Sequence, residues 1–234
     1  MLNVLSSPNE KRILTKILDK RALTVKELME ELDWDASAQR FYEILTRLRL
    51  KFPQLISISA QNGTNTRLIV AKPIAGFLPA YRDHDRILYL LSKAALSIVS
   101  DLIVVGEFEY RLGSYTQKIK NLNRFPDGLW ILDNSICAIE YESTLKSFKR
   151  IQGIVRAFED RSNGLTSSVV FCSSTAIANA YKRAQEIIFK NPSFFTPKLK
   201  IIDLSIIELG VGSMDWIKEV SHQIERSELW KNQQ

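Results

Sequence analysis

The sequence predicts an α/β chain in two parts, on three observations. Up to residue 51 apolar side chains recur at helical spacing, and two β-like runs around Asn62-Gly63 close that part. Two prolines and a glycine then break the pattern between Pro73 and Asp83. Beyond them, two apolar runs joined by Asp133-Asn134-Ser135 lead into alternating helix-like and strand-like segments, the order of a sheet covered by helices. The predicted division is residues 1–73 for a first domain, 74–83 for a linker and 84–234 for a second domain.

In the first part, Ile13, Leu14, Ile17 and Leu18 give one apolar face to a helix from Pro8 to Lys20, behind a Ser/Pro/Asn start. Thr24 stands three residues before Glu27, a capping-box spacing that opens a short helix from Val25 to Leu32. A third helix is predicted from about Ala36 to Lys51, with Phe41, Ile44, Leu45 and Leu48 as its buried stripe and Pro53 ending it. Leu55–Ala60 and Thr66–Ala71 flank Asn62-Gly63, a strong hairpin signal because both turn residues tolerate positive φ. Three helices followed by a hairpin is the order of a winged helix-turn-helix, whose third helix enters the major groove while the wing meets the backbone. Gln39, Arg40 and Arg47 on that helix, and Arg67 and Lys72 on the wing, are the candidate DNA contacts. Arg40 and Arg47, two helical turns apart, share a face. The alternative is three packed helices with a solvated basic side.

The second part opens with a helix from about His84 to Val99, then a strand-like run from Leu102 to Leu112 that puts Glu107, Glu109 and Arg111 on one side. Those acids are either outer members of a metal site or an ordinary solvated face. Gly113 to Asn123, with Lys118 and Lys120, reads as a loop over the active end. After the central hairpin, Lys146–Asp160 reads as a helix with Phe148, Ile151, Val155 and Phe158 inward and Lys146, Lys149, Arg150 and Arg156 outward. A strand at Ser167–Cys172, a helix at Ala176–Phe189, a strand at Leu199–Ile207 and an amphipathic helix at Ser213–Trp230 complete an αβββαβ pattern with additions.

The central hairpin carries the chemistry. Asp127 precedes Gly128-Leu129-Trp130-Ile131-Leu132, and Glu140 and Glu142 end the next run. In antiparallel neighbours the start of one strand lies beside the end of the other, and residues two apart share a face, so three carboxylates converge while Tyr141 turns away. Oxygen-only clusters suit Mg2+ or Mn2+, which activate water and stabilise a phosphodiester under attack.

Pro126-Asp127, then Glu140-Tyr141-Glu142 and a nearby lysine resemble the PD-(D/E)xK restriction-endonuclease superfamily. In the generic pattern a lysine stands two residues after the second acid, and here Glu142 holds that place. Asp, Glu-x-Glu and a lysine on the following helix, behind a winged helix, resemble the replication-relaxation family and its MobC-type conjugative relaxases. That resemblance implies a restriction-endonuclease-like second domain and metal-dependent nicking of one DNA strand at a plasmid transfer origin. Asp127, Glu140 and Glu142 would hold the metal, or Glu142 would serve as a base. Lys146 would stabilise charge, and Lys149 and Arg150 would meet DNA beside Gln39, Arg40, Arg47 and Arg67. The implied partners are double-stranded DNA with a specific site, a relaxosome accessory protein and a coupling protein. The alternative is a catalytically inactive DNA-binding replication or accessory factor.

Composition agrees with a polyanionic partner: a formal charge of +6 and a pI near 9.3 favour phosphate contacts. Cys137 and Cys172 are the two cysteines, each inside an apolar run, so neither a disulfide framework nor a Cys-rich zinc site is expected. Only His84 and His222 occur, in different predicted helices, so a histidine-clustered relaxase centre is not expected. No Gly-rich phosphate loop is found. Met1–Ser7 has no basic n-region and no apolar run reaches membrane length, which predicts a cytoplasmic protein without membrane insertion.

Overall fold

The computed structural model describes residues 7–20, 22–60, 67–71, 82–106, 119, 126–189 and 197–230. These form a mixed α/β structure that divides into two compact units, Met1–Tyr89 and Leu90–Gln234. The predicted linker, 74–83, falls almost wholly outside the described residues, as does the turn at Asn62-Gly63.

The first unit runs α1 (Pro8–Lys20), β1 (Ala22–Thr24), α2 (Val25–Glu31), α3 (Ala38–Lys51), β2 (Ile56–Ala60) and β3 (Arg67–Ala71), and includes the start of α4 (Arg82–Leu96). Its sheet is antiparallel in the order β1-β3-β2, with Leu23 opposite Ile69 and Ile58 opposite Ile69 on the other side. The short β1 has no counterpart in the sequence reading. Three residues carry no readable alternation, and the partner strand lies more than forty residues away, at Leu68–Val70.

The predicted stripes fill the unit's interior: Ile13, Leu14 and Ile17 from α1, Leu28 from α2, and Phe41, Ile44, Leu45 and Leu48 from α3 are buried. The third helix starts at Ala38 because Ser37 caps it, its Oγ accepting from the Arg40 N–H at 3.3 Å. The capping box is present: Thr24 Oγ1 accepts from Glu27 N at 3.2 Å, and Glu27 Oε2 accepts from Thr24 N at 2.8 Å. Glu27 also takes the Arg86 guanidinium in a fork, at 2.6 and 3.0 Å.

The second unit contains the rest of α4, β4 (Ile103–Gly106), β5 (Gly128–Leu132), β6 (Ser135–Glu142), α5 (Phe148–Glu159), β7 (Ser167–Cys172), α6 (Thr175–Ile188), β8 (Leu199–Asp203) and α7 (Met214–Arg226). Its sheet runs β4-β5-β6-β7-β8. The first three strands are antiparallel, and β7 and β8 continue parallel to β6. The β5–β6 turn is tighter than predicted. Asp133 takes a positive φ of 52°, a geometry Asp tolerates, and Ser135 already belongs to β6.

One core lies against α5 and α6: Leu129, Ile131, Ile136, Ala138, Val170 and Leu199 from the strands meet Ile151, Ile154, Val155, Phe158, Ile177, Ala178 and Tyr181 from the helices. On the other strand parity, Trp130 donates from Nε1 to Ser92 Oγ at 3.3 Å and packs edge-on to Phe171. Ser221 of α7 donates to the Ala94 carbonyl of α4 at 3.0 Å. The predicted strand to Ile207 stops at Asp203, because the carboxylate of Asp203 accepts from Ser205 N and turns the chain into a single 3-10 turn. Among the described residues no helix is long and apolar enough to cross a membrane.

Burial works to raise the Glu27 carboxyl, but Arg86 and the Thr24 N–H outweigh it and hold the group below its ordinary value. Its contribution is therefore present above the unfolded carboxylate range, near about 4.3, and is lost as pH falls through the lower folded value. Glu27→Ala is expected to destabilise the chain by about 2–4 kcal/mol at neutral pH, from the lost cap and the stranded guanidinium. Chemical denaturation at stepped pH checks this: the gap to wild type should close on acidification below about pH 4.

Candidate functional site

The register of the sheet assembles the acids. Gly128 pairs with Ile139, so one step further sets Asp127 opposite Glu140. Asp127 shares strand parity with the core residues Leu129 and Ile131, and Glu140 and Glu142 share it with Ile136 and Ala138. All three acids thus stand on the α5/α6 side of the sheet, where β6 ends. Gly128, right after Asp127, lies close to the neighbouring strand: an added Cβ would lie 3.2 Å from the Val105 carbonyl oxygen, so a side chain there would need β4 to give by a few tenths of an ångström.

Glu140 and Glu142 are 1% and 2% exposed, so both carboxylates are withdrawn from water. Lys146 offsets their charge. Its ammonium donates to Glu142 Oε1 and lies 4.0 Å from Glu140 Oε1. The Tyr181 hydroxyl of α6 donates to the same Glu142 oxygen at 2.9 Å. Asp127 Oδ2 accepts from the Tyr141 backbone N–H at 2.9 Å, a side-chain acceptor standing where the ladder runs out. Tyr141 itself is half-buried and on the opposite strand parity.

Lys146 belongs to the loop before α5, not to the helix, which begins at Phe148 behind Ser147. Phe148 is likewise not inward: it is 37% exposed, with the Arg183 guanidinium 5.5 Å from its ring centre. The inward stripe is Ile151, Ile154, Val155 and Phe158, which starts one turn later. Lys149 and Arg150 are exposed in the first turn of α5, which holds no acid.

Two neighbours were not among the sequence candidates. Tyr181 reads as one more apolar member of the α6 stripe, and nothing in its local sequence announces a carboxylate partner 39 residues earlier. Asp203 ends β8 in line with Cys172 and Glu142 across three parallel strands. Burial tends to raise its carboxyl, yet hydrogen bonds from Ser205 and Thr175 and the charge of Lys182 hold it below the ordinary range. The Asp-x-Ser spacing was the readable signal. Between them, burial and then the charges of Glu142 and Asp203 push the Cys172 thiol up to about 12. Burial does the same to Cys137, again to about 12, so neither cysteine offers a thiolate nucleophile.

The donor set of Asp127, Glu140 and Glu142 is all oxygen and suits a hard cation. Among the described residues, however, no three His, Cys, Asp or Glu side chains are gathered as a metal-holding group. Lys146 supplies compensating charge to Glu140 and Glu142. Glu107, Glu109, Arg111, Lys118 and Lys120 lie outside the described residues.

In the first unit, Gln39, Arg40 and Arg47 are exposed on α3. Gln39, Tyr42, Glu43, Thr46 and Arg47 line a shallow hollow, in which the Gln39 amide donates to Glu43 at 3.4 Å. Arg47 is 3.9 Å from buried Glu10, which Lys51 also holds at 2.9 Å, so its guanidinium is drawn toward the helix base. The Arg67 backbone is in β3, while its side chain and all of Lys72 lie outside the described residues.

No family model matches the chain, and no curated protein does. Among solved structures, the protein VC1899 from Vibrio cholerae is similar at 9% identity with a TM-score of 0.30, the match covering 93% of this chain and 49% of that one. The chain thus spans about half the length of that neighbour (49%), and a likeness at that score carries no argument about fold or function.

Removing the Tyr181 hydroxyl leaves Glu142 with one donor fewer, so Tyr181→Phe is expected to lower stability by about 1 kcal/mol. Lys146→Met removes the ammonium beside two buried carboxylates and is expected to lose about 2–4 kcal/mol. Urea denaturation of each variant checks the ordering; a Lys146→Met variant as stable as wild type would show that the ammonium does not compensate the acids.

Proposed function

We propose that the chain is a metal-dependent DNA endonuclease that nicks one strand. The observation that carries this reading is the meeting of Glu140, Glu142 and the Lys146 ammonium at the end of β6, beside Asp127 at the start of β5. It is supported by the strand order, three antiparallel strands and then two parallel ones, with α4 before them and α5 between β6 and β7. That is the αβββαβ plan expected of a restriction-endonuclease-like core. The element order of the first unit, with β1 between α1 and α2 and the sheet β1-β3-β2, supports the winged-helix reading and a role in choosing the DNA site.

Asp127, Glu140 and Glu142 are the residues that would hold Mg2+ or Mn2+. When bound, such an ion supplies Lewis-acid stabilisation of the phosphodiester and acidifies water. The protein's own part is positional. The β5–β6 register fixes the spacing of the acids, and burial keeps bulk water from the inner carboxylates. Lys146, released from Glu142, presents a cation to the developing charge on the phosphate. Tyr181 orients Glu142. The transfer-origin target and the relaxosome partners rest on the family resemblance alone.

A second reading has its own observation. Lys146 and Tyr181 both donate to one oxygen of Glu142, a side-chain network that serves a purely structural role and would suit an inactive DNA-binding factor.

Nicking of supercoiled plasmid carrying the cognate transfer region separates the two. Wild type with Mn2+ or Mg2+ is expected to give open circles, and chelator, Asp127→Asn and Glu140→Gln to abolish them while gel-shift binding persists. Asp127→Asn keeps an acceptor for the Tyr141 N–H, so its effect reports charge and not strand pairing. Specific binding with no nicking under any metal would establish the inactive reading. Tyr141→Phe is expected to nick like wild type, since its side chain points away from the acids; loss of nicking with binding intact would sink the hydrolytic mechanism.

A further inference from the structure

The start of α5 leaves apolar surface in water beside the acids. Leu145 is 61% exposed and Phe148 is 37% exposed, on either side of the segment that delivers Lys146 to Glu142. Phe148 stands outside the buried stripe of α5, which begins at Ile151, and the Arg183 guanidinium of α6 lies 5.5 Å from its ring centre. Arg183 is exposed, as are Lys149 and Arg150 on other sides of the first turn of α5, and no acid occupies that turn. The Ser147 side chain makes no capping hydrogen bond to that turn.

An exposed aromatic ring paired with a guanidinium, on a helix turn that is otherwise basic, matches one chemistry closely. Bases present flat π faces that stack on such rings, and their phosphates seek the surrounding positive charge. In an intact duplex those faces are covered by neighbouring base pairs. Only unpaired nucleotides can use the ring.

We propose that Phe148 and Arg183, with exposed Leu145 three residues before the ring, form a docking site for an unpaired nucleotide of single-stranded DNA next to the scissile phosphate. This rests on the endonuclease reading for the identity of the site it adjoins. The site places an extruded or single-stranded base at the mouth of the acidic centre, and it makes local melting of the duplex a condition of productive binding.

The test is fluorescence anisotropy of the full chain with a labelled dT12 oligonucleotide and with a duplex of the same length, in chelator so that no cleavage intervenes. Phe148→Ala is expected to weaken single-strand binding by about 5- to 50-fold while Phe148→Trp retains it, as stacking of about one base requires. Arg183→Gln, which leaves the ring in place, is expected to weaken it by a smaller factor, and duplex affinity should hold in all three. Unchanged dT12 affinity in both Phe148→Ala and Arg183→Gln overturns the site, as does an equal loss for single strand and duplex. Since the readout is binding, failure of metal-dependent nicking leaves it standing, and failure here leaves the nicking result standing.

Discussion

The arrangement of the second unit depends on β6 being paired on both edges, antiparallel to β5 and parallel to β7. That double pairing buries the strand almost throughout, and it fixes which residues meet where the strand stops. An antiparallel neighbour contributes its beginning to that end, hence Asp127. A parallel neighbour contributes its own end, hence Cys172 and then, one strand further, Asp203. A one-residue slip would turn Glu140 and Glu142 to the opposite face and bring Tyr141 to theirs. Register at β6 is therefore the constraint through which sequence becomes chemistry.

What holds the register is mostly apolar and far from the acids. Leu129, Ile131, Ile136 and Ala138 are pinned by the stripes of α5 and α6, while Trp130 and Phe171 pack on the opposite strand parity. Both faces of the central strands are covered, so the hydrophobic term opposes any flip of side-chain parity. At about 25 cal/mol per Å2, turning even one large side chain outward costs a few kcal/mol, more than a polar contact at the strand end returns. The polar end is positioned by a core that does not need it.

The same asymmetry explains what could be read from the sequence. Long periodic stripes such as Ile13 to Leu18 and Phe41 to Leu48 announced their helices, because each stripe is a local record of which face is buried. The hairpin that sets Asp127 before β5 across from the end of β6 was also legible, since strand parity and hairpin connection are local properties. Residues whose role is decided by distant partners were not. Ala22–Thr24 becomes a strand only because β3 returns beside it. Phe148 fits the spacing of an inward position, but its helix starts at that residue, so it falls one turn short of the stripe that covers the sheet. Tyr181 looks like core packing and is, except for a hydroxyl that reaches Glu142.

Lys146 shows how like charges set by a strand are compensated in three dimensions. With Glu140 and Glu142 two apart on β6, the strand alone would bring two buried like charges together, and each would disfavour the other. An ammonium from the following loop donates to Glu142 and comes within 4.0 Å of Glu140 without belonging to the strand.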